Sequence, residues 1–226
     1  MIFRVAVTRP EPQASQTAQR LTAMGFEPFI APLLQPVPGD PPGTADGIGS
    51  IALTSRTAAA MLAPHTAFHR LPVYAVGAAT ADEARSSGFI DVISADGTAD
   101  ELFEHLSGAP EPIVHMAGSD QRGDLVERLV AGGRKAERRI VYHMKPNKTL
   151  EVPPGPVNAV LLYSPRTAKV FARRAKAPEW QGATCVAMSA AIAEAVGDGF
   201  KTVVSAAPNQ KSLIDALLKL RDSAQG

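Results

Sequence analysis

Turns bearing hydroxyls recur along this chain wherever a short apolar run gives way to a helical pattern, and chemistry could be done there. Thr54-Ser55-Arg56-Thr57-Ala58 and Ser164-Pro165-Arg166-Thr167-Ala168 are two versions of one such turn. A hydroxyl at the mouth of a parallel strand, just before a helix, sits beside backbone N–H groups that suit an anion. The same serines would also serve as plain helix N-caps, so Ser55, Arg56, Ser164 and Pro165 are candidates for ligand contact or for capping. Gly77-Ala78-Ala79-Thr80-Ala81 is a third turn, with Gly77, Ala78 and Thr80 as candidates and Thr80 as the cap in the purely structural reading. Met188-Ser189-Ala190-Ala191-Ile192 is its diverged echo, keeping Ser189 but neither glycine nor threonine. Thr8-Arg9-Pro10 and Gly118-Ser119-Asp120-Gln121-Arg122 complete the set, each arginine either a bidentate partner for a carboxylate or a plain solvated surface residue.

Tyr142 is the one phenol at the end of a strand that leads into a proline-rich link, either a weak acid or an aromatic packed beneath that link. Other chemistries lack their residues. His65, His69, His105, His115 and His143 show no metal-ligand spacing, and neither H-E-x-x-H nor paired CxxC occurs. His65 and His69 read as surface residues flanking a loop. The phosphate fingerprints G-x-G-x-x-G and G-x-x-x-x-G-K-[ST] are missing, as is the G-x-S-x-G nucleophile elbow. Cys185 opens a strand and reads as core, and as the sole cysteine it fits a reducing cytosol without disulfides. Arg134, Lys135, Arg138 and Arg139 form the densest basic cluster, read as a solvated edge. A net charge of +1 argues against a general nucleic-acid binder, and no apolar run approaches the roughly 20 residues of a membrane span.

The elements that must carry these turns alternate. Ten strands and eight helices are expected, at 2–7, 26–30, 48–53, 73–76, 90–94, 113–116, 138–143, 157–163, up to 188, and 202–205 for the strands. That alternation predicts an α/β fold with parallel sheets and helices on both faces. Proline crowding at about 35–47 and 144–156 is too dense for a regular element and predicts two linkers. These cut the 226 residues into a discontinuous lobe of 1–34 plus 147–226 and a continuous lobe of 37–144. A chain that enters one lobe and returns makes a hinge, with a ligand cleft expected between the lobes. The lobes also echo one another: at a constant offset of 111, residues 83–106 share nine identities with 194–217, including Gly88 with Gly199.

The ordered motifs VAVTRP (5–10), LTAMGFEPFIAPLL (21–34), IALTSRTA (51–58), VYAVGAATADEARSSGF (73–89), RIVYHM (139–144) and LLYSPRTA (161–168) resemble the uroporphyrinogen-III synthase family. That resemblance implies two flavodoxin-like lobes on a two-stranded connector, with no metal and no organic cofactor. It implies a linear tetrapyrrole substrate, hydroxymethylbilane, closed into a ring with inversion of the terminal pyrrole through a spiro intermediate and loss of water. The family's binding turns correspond to Thr8, Arg9, Ser55, Gly77–Thr80, Gly118, Ser119, Ser164, Pro165 and Ser189, and its cleft tyrosine to Tyr142. Where the family often has a glycine–proline–threonine turn, this chain has Ser189-Ala190-Ala191-Ile192, so no threonine there can be given a role. A cytoplasmic monomer in transient contact with the upstream deaminase is the expected setting, with no membrane or nucleic-acid partner. Two other readings remain at this stage: a non-catalytic two-lobed binding protein for an anionic small molecule, and a cofactor-dependent α/β enzyme.

Overall fold

The structure, a computed structural model, describes residues 2–95, 97–120 and 123–225. Gln121 and Arg122 of the sequence-derived mouth turn lie outside the described residues. Among those described, eleven strands alternate with eight α-helices and two short 3-10 turns at Thr66–Phe68 and Pro178–Trp180. The chain divides into two compact units, unit 1 at 1–35 with 145–226, and unit 2 at 36–144.

Unit 1 is a five-stranded sheet built from β1 (Arg4–Val7), β2 (Glu27–Ile30), β9 (Ala159–Leu162), β10 (Thr184–Ala187) and β11 (Thr202–Val204). Their spatial order is β11-β10-β9-β1-β2, and the pairs β10/β11, β10/β9, β1/β9 and β1/β2 are parallel. Counted in chain order from the β2 side this is 2-1-3-4-5, the flavodoxin arrangement. Pro28 lies in the edge strand β2, where its missing N–H removes no ladder bond. Alternate residues of the central strands face opposite helix layers, as the period of a strand requires. Val160, Leu162, Cys185 and Ala187 pack with α6 (Pro165–Arg174) and α7 (Ala190–Val196). Ala159, Leu161, Val5 and Val7 pack with α1 (Gln13–Ala23) and α8 (Gln210–Gln225).

Unit 2 contains β4 (Ser50–Leu53), β5 (Val73–Ala75), β6 (Val92–Ser94), β7 (Ile113–Gly118) and β8 (Ala136–Pro146), with β3 (Leu34–Pro38) added beside β8. The order is β3-β8-β7-β4-β5-β6, with β4/β5, β4/β7, β5/β6 and β7/β8 parallel. Ile51, Leu53, Val73 and Met116 face α2 (Arg56–Leu62) and α3 (Ala78–Ser86), while Ala52 and Ile113 face α4 (Ala99–Ser107) and α5 (Leu125–Ala131). The start of α4 is closed by a capping box between Thr98 and Glu101.

The two sheets share one topology, circularly permuted. Counted from β9 through the chain end and on to β1 and β2, unit 1 runs 3-2-1-4-5, the order of β6-β5-β4-β7-β8 in unit 2. The offset of 111 joins the segments from α3 to α4 with those from α7 to α8, which keep their chain order. Permutation hides the correspondence of β1 with β7 from any single offset.

Several expectations are corrected. The first proline-rich stretch is partly regular, because β3 carries Pro36 and Pro38. Prolines two apart remove donors from one side of a strand only, and β3 is the sheet edge, so that side needs no partner. Gly39, of the opposite parity, donates its N–H to Val141 O at 2.9 Å. The second stretch begins inside β8, which extends to Pro146. The strand at 90–94 starts at Val92, leaving Ile90 76% exposed. Gly88 ends α3 with φ +99°, but its echo Gly199 does not do the same for α7, which is capped by Gly197 at φ +73°. His69 is not a free surface residue: its ring lies 5.0 Å from that of Phe89, against Gly88. The basic cluster is partly structural too, since Arg134 pairs with Glu111 at 2.8 Å and Arg139 with Glu137 at 2.7 Å, Arg139 also donating to Pro42 O.

The core of unit 1 has an aromatic centre in which Phe171 stands edge-on to Trp180 at 5.5 Å and tilts against Phe200 at 4.9 Å. Phe171→Ala is expected to destabilise unit 1 by about 3–5 kcal/mol, from lost transfer energy and a residual cavity. Trp180 is the only tryptophan, so its fluorescence in a urea titration reads unit 1 directly. An unchanged midpoint would show that the aromatic centre is not what holds that unit.

Candidate functional site

Helices leaving neighbouring strands change faces at the centre of each sheet, between β9 and β1 in unit 1 and between β4 and β7 in unit 2, and again at the outer pairs β10/β11 and β5/β6. At such a switch point neighbouring strand-to-helix turns diverge above and below the sheet and leave an open crevice at the strands' carboxyl ends. Ligands of open α/β sheets bind there. The sequence candidates distribute themselves accordingly. Thr8, Arg9, Ser164 and Pro165 flank the unit 1 switch point, and Ser55, Arg56, Gly118 and Ser119 flank that of unit 2. Gly77, Ala78 and Thr80 follow β5, and Ser189 follows β10, each one strand further out.

On the rim of unit 2, Ser55 is the N-cap of α2, its Oγ accepting from Ala58 N at 3.1 Å. Its hydroxyl also lies 3.3 Å from Tyr142 Oη. Tyr142 comes from β8, two strands away, and reaches β4 only because β7 between them is short of side chain at its tip. A Cβ on Gly118 would lie 2.4 Å from Cζ of the Tyr142 ring. The β7/β8 register shifts at Ala117/Gly118, bringing Gly118 opposite Tyr142, and Ser119 N donates to Tyr142 O at 3.0 Å. Gly118 is thus the residue that permits the phenol to cross the rim.

Beneath this contact, Thr54 Oγ1 and His115 Nε2 share a hydrogen bond of 2.9 Å. Sequence reasoning set His115 aside for want of metal spacing; the signal was its place in β7, beside β4. His115 is 3% exposed, and its pKa is lowered to about 4, first by burial and then by the charge of Arg138. The imidazole is therefore neutral near pH 7.

Gly77 is the N-cap of α3, with an added Cβ only 3.1 Å from Gly97 Cα, so its backbone runs close to another chain segment. Thr80 is not the cap: it lies three residues into the turn, 6% exposed. In α7 the N-cap is Ser189, without a side-chain cap bond, which aligns Ile192 with Thr80, both buried. The threonine has been exchanged for an apolar residue at an inward position.

The rim of unit 1 uses its groups differently. Thr8 is fully buried, its Oγ1 donating to Leu161 O at 2.6 Å, so this hydroxyl ties β1 to β9 across the switch point. Ser164 caps α6, its Oγ accepting from Thr167 N at 3.1 Å and lying 2.8 Å from Thr167 Oγ1. Aligning the caps pairs Ser55 with Ser164, one residue off the sequence match that set Thr54 against Ser164. Arg9 lies with its guanidinium carbon 4.6 Å from the centre of the Tyr163 ring. Tyr163, unassigned from sequence, occupies the position before the cap that Thr54 holds in unit 2. Burial raises the pKa of its phenol, with Arg9 and Thr17 beside it acting in the opposite sense. Neither neighbour completes a hydrogen bond of full geometry to the buried Oη.

Cys185 is fully buried and its pKa is pushed up to about 12 by desolvation, so it is a core residue and no nucleophile. Among the described residues no group of histidine, cysteine, aspartate and glutamate is placed to hold a metal ion. No described helix is long and apolar enough to cross a membrane.

Two tests follow from this geometry. In a Gly118→Ala variant the Tyr142 ring should leave Ser55, visible in a crystal structure as loss of the 3.3 Å contact; an unmoved ring would refute the gap-filling role of Gly118. His115 binds its proton more weakly folded than unfolded, so its contribution to stability is present above the unfolded pKa of about 6.5 and lost as pH falls toward 4. Comparing urea unfolding of the wild type and His115→Gln between pH 7 and pH 4, the gap should narrow by roughly 3 kcal/mol in favour of the variant. Parallel pH profiles would mean that the imidazole titrates normally.

Comparison with known proteins adds to this geometry. The sequence profile described as Uroporphyrinogen-III synthase HemD matches residues 15–215. Among solved structures, the uroporphyrinogen-III synthetase of Helicobacter pylori 26695 is similar, with a TM-score of 0.64 at 16% identity, covering 98% of this chain and 100% of that one. A mutant uroporphyrinogen III synthase of the extremely thermophilic bacterium Thermus thermophilus matches with a TM-score of 0.50 at 16% identity, covering 99% of each chain. At these identities the structures speak for the fold. Comparison of the whole sequence with curated proteins finds no significant match. The profile covers most of the chain, and with it this chain belongs to the uroporphyrinogen-III synthase family of tetrapyrrole biosynthesis.

Proposed function

We propose that this chain is a lyase that closes hydroxymethylbilane into uroporphyrinogen III, losing water and inverting the terminal pyrrole. The observation that carries the proposal furthest is the Ser55–Tyr142 contact on the unit 2 rim, a phenol held at the switch point of a sheet in a chain of this family. Ring closure begins when the substrate's hydroxymethyl group accepts a proton and leaves as water, generating an azafulvenium cation. The substituted carbon of the terminal ring attacks, giving a spiro intermediate that fragments and recloses with that ring turned around. The last closure sheds a proton as the pyrrole regains aromaticity, which restores the acid.

A phenol, with an ordinary pKa of about 10, is a weak donor, suited to a substrate that ionises readily. Tyr142 assists this departure, and Ser55, hydrogen-bonded to it, orients the hydroxyl. The harder task is selecting the substituted carbon over the free one, because the uncatalysed chain closes without inversion to the type I isomer. That selection is a matter of holding one folded conformer and keeping competing closures out. The substrate's carboxylates give the protein its handles, and both rims supply donors for them: Arg9, Ser164 and the α6 N-terminus in unit 1, Arg56, Gly77, Ala78 and Ser119 in unit 2. Thr8 and Thr80, both buried, act by fixing the strand ends and turns that present those donors. Ser189 contributes its backbone at the start of α7. The enzyme works as a cytoplasmic monomer, needs no cofactor, and meets the upstream deaminase only in passing.

Hydroxymethylbilane generated in situ, treated with the protein and then oxidised, should yield mainly the type III uroporphyrin; type I alone would overturn the proposal. Tyr142→Phe should lower kcat about tenfold while type III still predominates, less than the roughly hundredfold minimum typical of a general acid because the substrate ionises readily. Full turnover by that variant would remove Tyr142 as the acid.

A further inference from the structure

Arg9 and Tyr163 form a pair that the reaction scheme leaves half explained. Both sit on the unit 1 rim, on the two sides of the switch point, Arg9 after β1 and Tyr163 after β9. The guanidinium lies 4.6 Å from the ring centre, within cation–π range, and Arg9 is half-buried. Among the described residues neither Arg9 nor Arg174 has a carboxylate partner, whereas the half-buried Arg4 pairs with Glu27 at 2.7 Å and Arg221 with Asp222 at 3.0 Å. A half-desolvated guanidinium without an acid is costly to hold unless something else fixes it. The ring does so. Tyr163 itself is anchored, packing against the apolar cluster of Val5, Val7, Ala14 and Leu21 under α1. Its Oη is closed off from solvent, so the phenol cannot meet a ligand on the rim. Whatever Tyr163 does toward a ligand, it does through its ring and through Arg9.

We propose that Tyr163 is a positioning residue that holds Arg9 on its ring face as a preformed subsite for one substrate carboxylate, a proposal that rests on the tetrapyrrole reading above. Restraining the long arginine side chain before binding removes part of the ordering cost that a free arginine incurs when it grips a carboxylate. The planar guanidinium keeps its edge donors available while its face is occupied, so stacking and bidentate bonding do not compete. In unit 2 the matching position is Thr54, committed to His115, so the two rims differ in the chemistry they offer at equivalent places. The rim of unit 1 thus offers a stacked cation where the rim of unit 2 offers hydroxyls and a phenol.

The test is a kinetic series on the full chain with hydroxymethylbilane generated in situ, reading KM and kcat separately. Tyr163→Leu should raise KM about fivefold with kcat unchanged, the loss expected of one partly exposed cation–π contact. Tyr163→Phe, which keeps the ring, should restore the wild-type KM. Arg9→Met should raise KM about tenfold, and the double variant Arg9→Met with Tyr163→Leu should be no worse than Arg9→Met alone, because the ring acts only through the arginine. A KM unmoved by Tyr163→Leu overturns the proposal, as do additive effects in the double variant or a KM in Tyr163→Phe as high as in Tyr163→Leu. If Tyr163→Leu folds poorly, the comparison of Tyr163→Phe with Arg9→Lys decides: stacking survives in both, but loss of the two-pronged donor should raise KM only in the lysine variant. The wild-type control separates the two layers of argument. Only type I product from the wild type would fail the synthase reading, whereas type III product with flat KM values would fail the Arg9–Tyr163 subsite alone.

Discussion

A parallel sheet can leave a crevice at its carboxyl edge only where the helices leaving neighbouring strands go to opposite faces, and each unit of this chain does that at the centre of its sheet. In unit 1 the split falls between β9 and β1, and in unit 2 between β4 and β7. The rest of the structure depends on that constraint. Thr8 is sacrificed to it, its hydroxyl committed to Leu161 O to keep the two diverging strands together. Thr54 and His115 make the equivalent bridge in unit 2 with side chains on both strands. A buried polar pair of this kind holds only while each partner is satisfied, and burial, with Arg138 nearby, keeps the imidazole neutral. The strand ends so locked carry Arg9 and Ser164 on one rim and Ser55, Arg56 and Ser119 on the other.

The two rims share a plan and differ in content. Circular permutation places Ser55 with Ser164, Gly77 with Ser189, and Gly118 with the turn after β1. On unit 2 the absence of a side chain at Gly118 lets Tyr142 lean across β7 to Ser55. On unit 1 the corresponding space is taken by Arg9 lying over Tyr163. Exchange of Thr80 for Ile192 continues the divergence at an inward position, where the change alters packing and leaves no hydroxyl. For a reaction whose difficulty is distinguishing the two ends of a flexible polyanion, unequal rims are the useful outcome of a duplicated fold.

The alternation of strands and helices, the edge position of β2 and the core placement of Cys185 were all legible in the sequence, because they follow from local periodicity, from the N–H that Pro28 lacks and from the apolar strand that Cys185 opens. The strand β3 was not, because proline counts say nothing about which side of a strand needs donors; only an edge position makes Pro36 and Pro38 tolerable. Gly88 and Gly199 looked equivalent as letters, yet only Gly88 takes the left-handed conformation, since α7 ends earlier and uses Gly197. In the candidate site, motif turns announced Ser55, Gly118 and Ser164 but gave no sign of partners drawn from other strands. His115, Tyr163 and the crossing of Tyr142 over Gly118 depend on strand order and register, which a permuted repeat conceals.

The central claim is that the ligand contacts lie on the two carboxyl-edge rims. Backbone amide NMR of the isotopically labelled protein, titrated anaerobically with uroporphyrinogen III, tests it most directly. Shifts concentrated at Arg9, Ser55, Gly77, Ser119 and Ser164 are predicted. The competing cavity, about 420 Å³ between β11 and α8 and lined by Val203, Ala206, Asp215 and Lys219, should stay silent. Shifts confined to that cavity, with unmoved rims, would contradict the account.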